Sequence, residues 1–237
     1  FISNHDEIPG FVEFEGADQI ELFDKKINFG TCIPLSKALQ AECLLAYEMN
    51  EKPLLPVHGF PLRAIIPGYI GGRSVKWLKK ISIQMNPSKN YFHQMDFKLV
   101  YSQREPNEND IQKGITLWEY PVNSVICTPC YGDSVSAGSE IIVKGYAITG
   151  GNRTIERVEI STDDGKNWIE ADLDENHKFT WRLWKAKIVI PRDMVGKKLK
   201  IYARAIDSSA NIQPREIEHV WNWLGYVNNS WHCITLN

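Results

Sequence analysis

From Glu119 to the end, short alternating runs follow one another with a turn signal after nearly every one. The runs are Ile141-Val143-Gly145, Val158-Ile160, Trp168-Ile169, Phe179 to Leu183, Ile188 to Ile190, Leu199 to Ala205 and His219 to Trp223. Gly150-Gly151-Asn152, Asp163-Asp164-Gly165 and Ser208-Ser209-Ala210-Asn211 separate them. A period of two puts the apolar side chains of a strand on one face, and that face must be covered. Many short strands at this spacing predict an antiparallel β-sandwich of immunoglobulin-like type over residues 119–237. Asp164-Gly165 has the chemistry of a tight hairpin turn.

Residues 1–118 read differently. Residues 1–10 have no periodicity. Phe11 to Phe14 alternates as a strand, and Gly16-Ala17-Asp18 follows it as a strand-end turn. Pro34 to Cys43 reads as a short helix, with Pro at its start and Leu35, Ala38, Leu39 and Glu42 at helical spacing. Leu44 to Met49 then reads as a buried strand, and 103–110 (QREPNEND) as a linker within a polar stretch. The expected fold class is therefore α+β: a mixed α/β portion followed by the sandwich. At 237 residues the chain has room for both.

The functional signal lies in the first part. Between Glu51 and Asp96 there is no carboxylate, yet Lys52, Arg63, Arg73, Lys76, Lys79, Lys80 and Lys89 stand there with His58. The whole chain has a formal net charge of -2, so the average hides this concentration. Such a stretch is either a solvated basic face or an anion site, and Gly and Pro among the charges suit the second. Arg63 to Ile66 reads as a strand, 67–73 as a turn and Ser74 to Ile83 as a second extended run. In a simple hairpin Arg63 and Lys76 would be cross-strand neighbours, and two facing cations repel unless an anion sits between them. His58 reaches them only if Gly59 and Pro61 bend the chain.

The runs AYEMN, HGFPLR, IPG and GGRSVKWL, in that order from Ala46 to Leu78, closely resemble the molybdenum-cofactor domain of the sulfite oxidase family, which includes eukaryotic nitrate reductase. Further on, VKGYA, ERVEISTDDGKNW, TWRLWKAKI, ARAIDSSANIQP and WNWLGYVNNSWH resemble the family's dimerisation domain. The resemblance implies Mo-molybdopterin as cofactor. Its contacts would be Gly16, Ala17 and Asp18, His58, Arg63, and Ser74, Val75 and Lys76. It implies sulfite as substrate, with nitrate as the alternative, and a homodimer formed through the sandwich. A catalytically decayed dimerisation module is the remaining alternative. The family's metal ligand is a cysteine, and none of Cys32, Cys43, Cys127, Cys130 or Cys233 falls in its motif. The chain is thus expected to be a C-terminal portion with about half a pterin cradle and neither catalytic nor metal-ligating residues of its own.

Two positions depart from the pattern. Sulfite oxidases resemble one another in an Asp-Tyr pair whose hydroxyl sits beside the metal, and here the pair is Asp96-Phe97. An Arg that helps bind the oxyanion is replaced by Leu224, as in nitrate reductases. Other classes find no support. An odd number of cysteines at uneven spacing reads as free thiols of an intracellular, soluble protein. No apolar run approaches the roughly 20 residues that span a bilayer, and no nucleic-acid motif accompanies the basic stretch. The six histidines lack zinc-site spacing, and His93 with Asp96 reads as a surface pair. The Trp-rich C-terminal part reads as core and interface packing.

Overall fold

The computed structural model describes residues 10–102 and 104–237, so the unpatterned start lies outside the described residues. The chain forms two compact units. The first ends at Trp118 and also takes in Asn222–Tyr226; the second comprises Glu119–Trp221 and Val227–Asn237.

In chain order the first unit contains β1 (Phe11–Leu22), β2 (Lys25–Pro34), α1 (Leu35–Ala38), β3 (Leu44–Ala46), β4 (Glu48–Met49), β5 (Lys52–Pro53) and β6 (Arg63–Ile65). It continues with β7 (Leu78–Gln84), α2 (Tyr91–Met95), β8 (Lys98–Leu99), α3 (Glu108–Gln112) and β9 (Ile115–Thr116). β1 is the middle of a three-stranded antiparallel sheet, between β2 and β7. Its alternation sends Val12 and Phe14 inward, where they join Ile33, Ala64, Ile66 and Val75 in one core. Burying apolar side chains of this size is worth roughly 1.5–3 kcal/mol each. After Glu15 the register of β1 slips against both neighbours. Gly16 to Asp18 therefore form a bulge inside a long strand, not a turn at its end. The bulge is pinned by the Ala17 N–H donating to the Trp77 carbonyl (2.8 Å) and by Asn28 Nδ2 donating to the Gly16 carbonyl (2.8 Å). Bulges re-aim side chains, and this one re-aims Asp18.

Three further expectations are corrected. Leu44 to Met49 is two short strands, and Leu44, Leu45, Tyr47 and Met49 are exposed; β3 pairs with β6 in a two-stranded ribbon that leaves a face open. Ser74 to Ile83 is not one extended run, because Gly71–Arg73 makes a 3-10 turn and β7 begins only at Leu78. Trp77, at φ 50°, cannot belong to a strand. The supposed linker carries α3, whose first turn is closed by a capping box between Asn107 and Asp110.

The second unit contains β10 (Asn123–Thr128), β11 (Glu140–Ile148), β12 (Ile155–Ser161), β13 (Ile169–Glu170), β14 (Asp172–Leu173), β15 (Arg182–Val189), β16 (Leu199–Asp207) and β17 (His232–Leu236). They form two four-stranded antiparallel sheets, in the orders β10-β11-β15-β14 and β13-β12-β16-β17. Val143, Trp184, Ala186 and Ile188 from one sheet and Val158, Ile160, Ile201 and Ala203 from the other share one core. The two runs expected around Phe179–Leu183 and Ile188–Ile190 are a single strand, β15. There Lys185 and Lys187 face outward between buried Trp184, Ala186 and Ile188. His219 to Trp223 is not a strand; Ile217–His219 is a 3-10 turn. Among the described residues α1, α2 and α3 have only four or five residues each. The described residues are thus mostly antiparallel β with few helices, richer in strand than the expected α+β mix. Pro34 to Cys43 stops being helical at Ala38 because Leu35 and Ala38 pack on the core while Leu39 is exposed. A helix this short persists only where packing holds it.

Candidate functional site

Two loops of the first unit meet at Gly59. The 3-10 turn Pro56–His58 ends on this glycine at φ 104°, a conformation that side chains disfavour. A Cβ added there would stand 2.9 Å from the Lys76 Cβ and 3.2 Å from the Arg63 Cβ. Both cationic side chains therefore start from one floor. The floor is fastened by Ala64 N–H to the Val75 carbonyl (2.9 Å) and Leu78 N–H to the Leu62 carbonyl (2.8 Å). Arg63 and Lys76 both rise beside Gly59, although no simple hairpin links them.

Each cation is aimed by backbone carbonyls. Arg63 Nη1 donates to the His58 carbonyl (3.1 Å) and Nη2 to the Ser74 carbonyl (3.2 Å). Lys76 Nζ donates to the Val57 carbonyl (3.1 Å) and lies 4.4 Å from the centre of the Trp77 ring. Trp77 Nε1 in turn donates to the Pro56 carbonyl (2.8 Å), tying the two loops together. Among the described residues neither Arg63 nor Lys76 has a carboxylate within ion-pair distance. Burial pulls the Arg63 guanidinium below its usual range, yet it remains a cation at neutral pH. Not all of the basic stretch is unpaired: Lys79 meets Glu15 of β1 at 3.6 Å, a partner far away in sequence.

The bulge brings the remaining candidates alongside. A Cβ on Gly16 would fall 2.3 Å from Asp18 Oδ1 and 2.9 Å from the Lys76 carbonyl, so only glycine lets the bulge lie this close. Ala17, Asp18, Phe60, Pro61, Trp77 and Lys79 line a cleft of about 580 Å³. Among the described residues Asp18 Oδ1 and His58 Nδ1 are buried without a hydrogen-bond partner. An unsatisfied buried polar group costs about 1–3 kcal/mol, which a ligand that pairs with it returns. Ser74 and Val75 hold the loop: Ser74 Oγ accepts from the Ile66 N–H (3.0 Å), and the Val75 side chain is in the core. All eight candidate residues are thus brought together. A pterin with a phosphate tail fits this donor set: two cations without counter-ions, an orphaned carboxylate oxygen and an orphaned ring nitrogen.

A second cluster lies behind the site, and sequence reasoning missed it. His93 is not a surface residue but buried, and Arg73 has no exposed surface at all. Arg73 Nε and Nη2 donate to the Leu117 carbonyl (3.3 and 2.8 Å), while Nη1 reaches Thr31 Oγ1 and His93 Nδ1 (3.1 Å). Its guanidinium lies against the Trp118 ring (4.8 Å) and the Phe97 ring (5.6 Å). Burial lowers the Arg73 pKa to about 10. Burial, with the Arg73 and Lys98 charges, lowers that of His93 to about 3, so its ring is neutral. Burial pushes the neighbouring Cys32 thiol up. Phe97 also stacks on Tyr226 (5.7 Å between centroids), delivered by the late segment that joins the first unit. In the sequence Arg73 was visible only as one cation of the basic stretch and a member of the GGRSVKWL run, with nothing to mark it as buried. Among the described residues no group of three or more His, Cys, Asp or Glu could hold a metal ion.

The family described as "Oxidoreductase molybdopterin binding domain" matches residues 5–92, and the one described as "Mo-co oxidoreductase dimerisation domain" matches residues 115–237. The chain is 39% identical over 235 residues to the mitochondrial sulfite oxidase of Rattus norvegicus, covering 96% of this chain and 42% of that one. It is 38% identical over 242 residues to the sulfite oxidase of Arabidopsis thaliana, covering 95% and 59%. With NADH nitrate reductase 2 of Phaseolus vulgaris the identity is 35% over 245 residues, covering 95% and 27%. The chain therefore spans less than two thirds of the length of each of these relatives. In fold it is similar to the sulfane dehydrogenase SoxCD of Paracoccus pantotrophus, with a TM-score of 0.76 at 22% identity over 96% of this chain and 55% of that one. With both family matches and these relatives in agreement, the chain belongs to the sulfite oxidase family of molybdopterin oxidoreductases.

Proposed function

We propose that this chain carries part of the Mo-molybdopterin cradle of an oxidoreductase acting on sulfite. The observation that carries the reading is the pairing of two orphaned buried atoms, Asp18 Oδ1 and His58 Nδ1, with two cations that have no carboxylate among the described residues. Arg63 and Lys76 hold the phosphate, because charge-assisted hydrogen bonds are about twice as strong as neutral ones. Asp18 accepts from a pterin N–H and His58 offers its ring nitrogen. Gly16, Ala17 and Gly59 keep the backbone low enough for the ligand to approach, and Ser74 and Val75 hold the strap that bears Lys76. When bound, the cofactor supplies two-electron oxygen-atom transfer, which these side chains cannot perform.

Sulfite is favoured by the relatives named sulfite oxidase, and Leu224 together with the nitrate reductase relative supports nitrate as the second reading. Where the resemblance expects a tyrosine hydroxyl, Phe97 has none. The Tyr226 phenol, one ring away, is our candidate for it. The second unit is read as an immunoglobulin-like dimerisation sandwich, with Ile142, Leu183 and Val189 exposed on the sheet that contains β11 and β15. Molybdenum analysis and oxidised-pterin fluorescence of the full-length protein test the cofactor, and absence of both overturns the reading. Assays with sulfite and nitrate separate the substrates. Tyr226→Phe is expected to lower kcat/KM roughly ten-fold or more, the worth of one hydrogen bond to a charged group; unchanged kinetics exclude the phenol. Sedimentation as a monomer at micromolar concentration would exclude the dimer.

A further inference from the structure

We infer that Arg73 is a positioning residue for the anion clamp, acting through the Ser74 carbonyl on the Arg63 guanidinium. This rests on the reading of Arg63 and Lys76 as an anion site. Arg73 itself is fully buried. Its guanidinium is fixed on several sides: the Leu117 carbonyl, Thr31 Oγ1, the His93 ring and the faces of Trp118 and Phe97. Its backbone is fixed as well, by its own N–H to the Ile70 carbonyl (2.9 Å) and by the Ser74 N–H to the Gly71 carbonyl (3.0 Å). The next residue, Ser74, presents its carbonyl to Arg63 Nη2 at 3.2 Å and its Oγ to the Ile66 N–H at 3.0 Å. The residue after the core-bound Val75 is Lys76. A clamp built from two like charges needs such an anchor, since the cations repel each other.

The cost of the anchor argues for this role. Among the described residues Arg73 has no carboxylate partner, and a buried, unpaired charge is expensive. A chain needing only stability would do better with an apolar side chain between Trp118 and Phe97. Gly72 adds a matching constraint, because a Cβ there would meet the Phe97 ring at 2.6 Å, so the strap is pressed onto the ring that packs beside Arg73.

The test uses the cofactor-free full-length protein and inorganic phosphate as probe, at a temperature where every variant is folded. Arg73→Lys and Arg73→Met are expected to weaken phosphate binding about ten-fold. Ile33→Val, a core change that removes none of the strap's hydrogen bonds, is expected to lower Tm and leave phosphate affinity unchanged. Thr31→Val, which removes one hydrogen bond to Arg73, should weaken binding about three-fold and serves if the Arg73 variants do not fold. Unchanged affinity in a folded Arg73 variant, or in Thr31→Val if neither folds, overturns the inference. So does an equal loss in Ile33→Val, which would make the effect one of general destabilisation. Failure of the wild-type protein to bind phosphate would instead sink the underlying anion site.

Discussion

The buried carboxylates of the second unit and the cations around the candidate site of the first handle their charge in opposite ways, although Lys37 of the first unit does pair with Glu42 at 2.9 Å. In the second, the Asp207 carboxylate has no exposed side-chain surface, and it meets Arg153 Nε at 3.1 Å, Thr149 Oγ1 at 2.9 Å and both the backbone and side chain of Asn211. Glu159 likewise meets Arg157 (3.2 Å) and Arg204 (2.8 Å). In the first unit, Arg63, Arg73, Lys76 and Lys98 lean on carbonyls, a hydroxyl and aromatic rings instead of carboxylates. A charge that is completely paired inside its own fold is an element of structure. Cations left with neutral partners, beside polar atoms that have none, make a region whose charge suits a negative group.

That contrast can be broken by experiment. The largest effect is expected in the second unit. Asp207→Ala strands Arg153 and should cost roughly 3–5 kcal/mol, toward the low end because Arg153 keeps Glu119. Chemical denaturation measures this, and phosphate affinity should not change. Arg63→Met should do the reverse, weakening phosphate or cofactor binding by about 10- to 100-fold, the worth of one charge-assisted hydrogen bond. Its stability should change by less than that of Asp207→Ala, roughly 1–2 kcal/mol, because it removes no ion pair and only hydrogen bonds to the His58 and Ser74 carbonyls. If Arg63→Met proves as destabilising as Asp207→Ala, the distinction between the two units fails.

Acid sharpens the comparison further. His93 is held neutral down to about pH 3, whereas the unfolded chain protonates it near pH 6.5. The unfolded state therefore binds more protons in that window, and the first unit loses stability as pH falls from about 6.5 toward 3. Between pH 7 and 5 the loss should be about 2 kcal/mol, and His93→Gln should flatten it. For Asp207, burial acts to raise the carboxyl, but hydrogen bonds from Asn211, Thr149 and Ser209 outweigh it and hold the pKa below the usual range. Its contribution is present above the unfolded pKa, near 4, and is lost only as pH falls through the lower folded value. The two units should respond to acid in different windows, which unfolding followed at several pH values would reveal. The smallest effect belongs to exposed pairs. Lys187→Ala, which breaks a 2.8 Å contact with Glu140 on the surface, should change stability by less than about 1 kcal/mol.

Several features of this molecule could be read before any coordinates. The alternation of β11, β12 and β16 and the Asp164-Gly165 turn are local patterns, so these strands of the two antiparallel sheets were legible. The short motifs around His58, Arg63 and Lys76 pointed to the family because they occur in order along one stretch. β10 and β17 were missed, since short runs such as HCITL carry too few residues to announce a period. The bulge at Gly16 to Asp18 was read as a turn because a bulge is a disagreement between partner strands, which one strand cannot display alone.

What the sequence by itself determined, then, is which residues are charged, which alternate and which can bend: the Lys and Arg concentration, the strand periods and Gly59. Tertiary structure decided which of those charges have partners. Glu15 neutralises Lys79 from across the sheet, Arg73 disappears beneath Trp118, and Tyr226 returns from more than a hundred residues later to stack on Phe97. The reason is physical. The energy of a charge or a ring depends on what surrounds it within a few ångströms, and those surroundings come from segments far apart in the chain.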